Sequence, residues 1–92
     1  MPRVELTSHL YQFFPDLEGS EIDVEGATVR EVLDALERRI PGFAFYVCDE
    51  RGRLRQHVNV FVGKERIRDR ATLTDPVAPG ERVFIIQALS GG

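Results

Sequence analysis

The stretch Pro79-Gly80-Glu81-Arg82-Val83-Phe84-Ile85-Ile86-Gln87-Ala88-Leu89-Ser90-Gly91-Gly92 decides how the rest of this 92-residue chain is read. Pro79-Gly80 suits the middle of a tight turn. Glu81 to Leu89 then reads as a strand that is apolar on both parities, Val83 and Ile85 against Phe84 and Ile86. A strand with two apolar faces belongs inside a sheet rather than at its edge. Ser90 and two glycines follow. Glycine loses more backbone entropy on ordering than any other residue and brings no side chain to a core. The expected organisation is therefore a domain over residues 1–89 and a thin tail over 90–92, whose one chemical asset is the carboxylate of Gly92. Three extended residues reach about 10 Å, at about 3.3–3.6 Å each. That is enough to thread a narrow channel and place the carboxylate in another protein's active site. Small-residue ends are also common where a terminus is simply not tied down, so the tail takes its meaning from the rest of the chain.

Working back from that strand, His57-Val58-Asn59-Val60-Phe61-Val62 alternates and is β-branched, which predicts a strand. Gly63-Lys64-Glu65 turns it and Ile67 begins a short return, before Asp75-Pro76 punctuates a loop. Cys48 to Gln56 is polar around Gly52 and reads as a loop or small hairpin tip. Phe43-Ala44-Phe45-Tyr46-Val47 is apolar without a clear period and reads as a short turn or strand closing the core edge. The clearest element lies before it. Thr28 with Glu31 three residues later is a capping box. Val29, Val32, Leu33, Leu36 and Ile40 fall on one helical stripe, with Arg30, Asp34, Glu37 and Arg38 away from it. Arg38 and Arg39 complement the dipole in the last turn, and Pro41-Gly42 ends the helix. At the start, Val4, Leu6, Ser8 and Leu10 share one parity of a half-buried strand. Pro15-Asp16 and Gly19 turn it toward a second short strand at Glu21–Glu25, the two forming a hairpin with a long loop.

The result is an α+β domain with one amphipathic helix and a mixed sheet. A single helix covers one face of that sheet. If Val58, Val60, Val62, Val83 and Ile85 point to the helix, then Phe61, Phe84 and Ile86 line the uncovered face and make an apolar patch of the interaction-site kind. The opposite parity would bury the phenylalanines.

Composition restricts the function classes. A hydrophobic content of 42% and a charged content of 29% are ordinary for a globular domain. No apolar run approaches the roughly 20 residues of a membrane span, and no signal-peptide pattern is present. One cysteine, Cys48, excludes an internal disulfide framework, and the expected compartment is a reducing cytoplasm. The net charge of −3 does not suit a general nucleic-acid binder. Charge is bipolar, with Asp16, Glu18, Glu21, Asp23 and Glu25 unrelieved by a base, and seven bases against Glu65 and Asp69 over residues 51–70. Such a surface either orients an encounter or is ordinary solvated protein. The alternating Arg51, Arg53 and Arg55 are expected to project from one side. His9 and His57 are isolated, and a metal site needs several ligands. No Ser-His-Asp or Cys-His arrangement is legible. Cys48 reads as a core or edge thiol and Lys64 as a solvated turn residue.

Two segments, His57-Val-Asn-Val-Phe-Val-Gly-Lys-Glu65 and Pro79 through Ser90-Gly91-Gly92, together resemble the ubiquitin-like sulfur-carrier family. That family includes the molybdopterin synthase small subunit, the thiamine-pathway carrier and the cysteine-biosynthesis carrier of some bacteria. The resemblance runs through the element order of the whole chain. It implies the β-grasp fold, a mixed sheet of four to five strands wrapped around one main helix. The segment from Pro41 to Gln56 is longer than in compact thiamine-type members, and Gly63 stands where many relatives place Asn.

The resemblance further implies a mechanism. The Gly92 carboxylate is adenylated by an E1-like, ATP-using activating enzyme, and a sulfur donor displaces AMP to leave a thiocarboxylate. A sulfur-accepting synthase then uses it in molybdopterin, thiamine or cysteine biosynthesis. The chain is then a co-substrate and not an enzyme. It holds no permanent cofactor, no metal, no nucleic acid and no membrane. Leu89, Ser90 and Gly91 form the tail, while Phe61, Phe84, Ile86 and Leu89 meet the partner. Two alternatives remain at this point: a protein modifier joined through Gly92 to target lysines, and a passive β-grasp binding module with an incidental tail.

Overall fold

In a computed structural model, residues 1–6 and 22–87 are described. Ser8, Leu10, the Phe13–Gly19 turn region, Glu21 and the tail from Ala88 to Gly92 lie outside the described residues. Five strands and two helices follow in the order β1 (Arg3–Leu6), β2 (Ile22–Asp23), α1 (Val29–Arg39), α2 (Phe43–Val47), β3 (Val58–Val62), β4 (Glu65–Arg66) and β5 (Arg82–Gln87).

Strand alternation builds the sheet, whose spatial order is β2-β1-β5-β3-β4. β5 is central, as its two apolar parities predict. It runs parallel to β1 and antiparallel to β3, and β1–β2 and β3–β4 are antiparallel pairs. Arg3 stands opposite Asp23 across β1–β2, and Arg3 Nε donates to Asp23 Oδ1 at 3.3 Å. An exposed cross-strand ion pair of this kind contributes only a few tenths of a kcal/mol, up to about 1. Val4, Leu6, Val58, Val60, Val83 and Ile85 face α1 and are buried. Val29, Val32, Leu33 and Leu36 of α1 close over them, each fully buried. Full burial of one such side chain stabilises by about 1.5–3 kcal/mol. Ile40, at the helix end, packs against the core only in part.

The helix start departs from the simple capping box. Glu31 N donates to Thr28 Oγ1 at 3.2 Å as expected, but Glu31 Oε1 accepts from Ala27 N at 2.8 Å, one residue before the cap. Thr28 itself is held in an isolated antiparallel bridge with Pro76. Two further N–H groups of the first turn are satisfied by the loop after β4, Val29 N by Asp75 O at 3.0 Å and Arg30 N by Leu73 O at 2.9 Å. That loop is pinned by Asp69, which accepts from Ala71 N, Thr72 N and Thr74 Oγ1.

The segment 43–47 corrects the sequence reading, because it is a short helix and not a turn or strand. Glu37, reaching past the end of α1, accepts from Gly42 N and Ala44 N at 2.8 Å each and so caps α2. Phe43 and Val47 are buried and Phe45 is 66% exposed. A strand would have placed all three on one side, whereas a helix puts i and i+4 together and i+2 away. The polar loop after it closes through a Cys48–Leu54 bridge. Gly63 turns β3 into β4 at φ 61°, a backbone state that Gly and Asn tolerate.

Candidate functional site

The end of β5 organises the site. Alternation along the strand sends Val83 and Ile85 into the core, and Phe84 and Ile86 to the face that no helix covers. On β3, Phe61 and Asn59 point the same way. The register sets Phe61 directly opposite Phe84 and Asn59 opposite Ile86. Glu5 of β1 flanks Phe84 from the other side. The first of the two parities considered for the phenylalanines is thus the one adopted. Phe61 and Phe84 are half-buried by their neighbours, while Ile86 is 36% exposed. Arg3, Arg82 and Arg66 stand at register positions around this strip, so an apolar centre sits inside a mostly basic rim. Such an arrangement can hold another protein against the sheet, with the aromatic pair supplying area and the arginines orientation.

The strand leaves this strip at Gln87, and the sequence Ala88-Leu89-Ser90-Gly91-Gly92 follows. Of the residues expected to carry function, Phe61, Phe84 and Ile86 are brought together on one face. Leu89, Ser90, Gly91 and Gly92 lie outside the described residues.

The remaining candidates are placed as follows. Cys48 is buried, and desolvation raises its thiol pKa, which makes thiolate formation harder. Glu37 is lowered by the N–H groups of Gly42 and Ala44. At Asp49, desolvation works upward, but hydrogen bonds from Arg53 and Arg51 prevail and lower the carboxyl. The arginine set does not project as three free cations. Arg53 pairs with Asp49 at 3.6 Å, and Arg55 turns onto α2. Arg30 departs from the solvated face expected of it, because its guanidinium donates to Gly52 O. Lys64 is exposed in the Gly63 turn. No group of three His, Cys, Asp or Glu side chains comes together as a metal site among the described residues. No helix among them is long and apolar enough to cross a membrane.

Sequence reasoning missed Phe45 and Gln87 as surface features. The signal for Gln87 was present: it is a polar residue at the core parity of a strand whose other core positions are Val83 and Ile85.

Comparison with known proteins follows the same lines. The ThiS family model matches residues 4–92. The chain belongs to the ThiS family. The sulfur carrier protein CysO of Mycobacterium tuberculosis is 30% identical over 73 residues, which is 77% of this chain and 78% of that protein. Among solved structures, the Amycolatopsis orientalis BexX/CysO complex contains a chain that superposes with a TM-score of 0.83 at 27% identity, with complete coverage of both chains. SAMP1 from Haloferax volcanii superposes with a TM-score of 0.72 at 29% identity, over 99% of this chain and 98% of that one. The architecture is therefore the ubiquitin-like β-grasp, and this member of the family is a protein of the sulfur-carrier type.

Proposed function

We propose that this chain carries sulfur as a thiocarboxylate on Gly92 and delivers it to a biosynthetic enzyme. The observation that carries the reading is the course of β5. The central strand of the sheet presents Phe84 and Ile86 beside Phe61 on an open face, then leads within five residues to Gly91-Gly92, inside the span matched by the family.

A carboxylate with a pKa near 3.3–3.7 is ionised at neutrality and is a poor electrophile. One Gly92 oxygen attacks the α-phosphorus of ATP on an E1-like adenylating enzyme, pyrophosphate departs, and an acyl adenylate forms. A sulfide-level nucleophile from the sulfur donor adds at the carbonyl carbon, and AMP leaves with the original oxygen. The thiocarboxylate sulfur then attacks an acceptor on a synthase in molybdopterin, thiamine or cysteine biosynthesis, and hydrolysis breaks the acyl–sulfur link, water supplying the oxygen that returns Gly92 to a carboxylate. In this cycle the chain itself supplies the reacting carbon, a side-chain-free approach to it, and a docking face. Catalytic groups belong to the partners, so the chain acts as a co-substrate in the cytoplasm and keeps no cofactor of its own.

The test is ATP–pyrophosphate exchange with the adenylating enzyme of the same organism. The full chain is expected to support exchange, and a chain lacking Gly91-Gly92 to support none while melting at the same temperature. Equal exchange from both chains contradicts the reading.

A second reading has one observation in its favour, the likeness to SAMP1 of Haloferax volcanii, small archaeal modifier protein 1. Conjugation of Gly92 to lysines leaves the branch Val83–Gly92 on target lysines after tryptic cleavage at Arg82, which a carrier confined to sulfur transfer does not.

A further inference from the structure

Two sides of the strand end are open, and only one of them is the apolar sheet face. Gln87 pairs in register with Val58, so its side chain lies on the helix side, opposite to Ile86. There it borders a groove of about 360 Å³ lined by Gly42, Phe45, Tyr46, Arg55, His57 and Gln87. Three features mark this groove. Phe45 is 66% exposed although it sits on a helix with a buried face. The Arg55 guanidinium lies 5.5 Å from the centroid of that ring and donates through Nε and Nη2 to Phe45 O, at 3.2 and 3.0 Å. The hydrogen bonds fix the backbone of α2 at Phe45, and the guanidinium stands over the exposed ring. The Gln87 amide oxygen is buried without a hydrogen-bond partner, a condition that costs about 1–3 kcal/mol when nothing relieves it.

We infer that this groove is a second docking wall for the adenylating enzyme that receives the tail, facing the helix side while the sheet strip faces the other. The inference rests on the sulfur-carrier reading. Five residues follow Gln87, so an enzyme that draws Gly92 into a channel comes within about 18 Å of the point where they begin, at up to about 3.6 Å per residue. The groove is continuous with that point through Gln87 itself. Its chemistry specifies the partner surface: an apolar side chain laid against Phe45, and a carboxylate for Arg55, which no acid in the lining neutralises. Aromatic residues and arginine are the side chains enriched at protein interfaces, and Phe45 and Arg55 supply both here.

Two variants separate docking from folding. Phe45→Ser and Phe45→Asp both change an exposed side chain, so neither is expected to lower the melting temperature appreciably. Exchange kinetics with the organism's adenylating enzyme and ATP are expected to show KM for each variant raised at least about tenfold, with kcat little changed. Amides of residues 43–47 are expected to gain protection from hydrogen exchange in the presence of the enzyme. Unchanged KM for both folded variants, or no added protection at 43–47, overturns the second wall and leaves the carrier function standing. A wild-type chain that supports no exchange at all overturns both.

Discussion

Leu73 is the one non-glycine residue among those described with a left-handed backbone, φ 59°, and its side chain is fully buried. Such a conformation costs about 1–3 kcal/mol outside glycine. It persists because the same residue does two jobs: its carbonyl accepts from Arg30 N at the start of α1, and its side chain fills the core beneath. Leu73→Ala keeps the strain and loses the packing, so it is expected to destabilise by about 2–5 kcal/mol in denaturant melts. Gly26 shows the opposite constraint. A Cβ there would stand 2.8 Å from Val32 N, a backbone atom of α1 that cannot move aside. Gly26→Ala is expected to cost about 1–3 kcal/mol by the same measurement. Asp69 gives a pH signature. Side-chain and backbone hydrogen bonds from Thr72, then Thr74, hold its carboxyl well below the usual range. A depressed pKa contributes stability above the unfolded value, near 3.9, that is lost as pH falls below it. Asp69→Asn is therefore expected to melt below wild type at pH 7, with the gap closing as pH is lowered through 4 toward 3.

At the scale of elements, α1 and β5 were legible from sequence because their signals are local. The stripe Val29, Val32, Leu33, Leu36 matches a helical face, and Thr28 with Glu31 marks its start. Thr28→Ala is expected to cost about 1 kcal/mol, since one first-turn N–H loses its acceptor. The short helix α2 was not legible, because its cap comes from Glu37, on the preceding helix, and its five residues are too few to show a period. The docking of the 68–76 loop on α1 was hidden for a similar reason, being made by backbone carbonyls that no side-chain pattern reports. The parity of Phe61, Phe84 and Ile86 was open until the sheet register closed it. Both parities of β5 are apolar, so alternation alone could not choose between faces. Ile86→Asp places a charge in the open strip without touching the core. It is expected to leave the melting temperature nearly unchanged and to raise KM for the carrier in pyrophosphate exchange about tenfold or more.

At the scale of the whole molecule, the sheet separates two jobs. One face and the helices hold the fold together, with core residues drawn from every strand except β4 and from both helices. The other face carries no helix, and in the proposed cycle it is the surface that meets the partner. The proposed reactive end rests on sequence alone, a terminal Gly-Gly that follows an apolar strand and lies outside the described residues. The second wall at Phe45 and Gln87 emerged only when the fold brought residue 45 beside residue 87. The central claim is that the Gly92 carbonyl carbon is where sulfur is carried. Its most direct test is intact-mass and fragmentation analysis of the protein after incubation with its adenylating enzyme, ATP and a sulfur source. The expected result is one oxygen exchanged for one sulfur, localised to Gly92. Sulfur added without loss of oxygen and localised to Cys48, or a C-terminus unchanged while the enzyme charges another carrier, contradicts it.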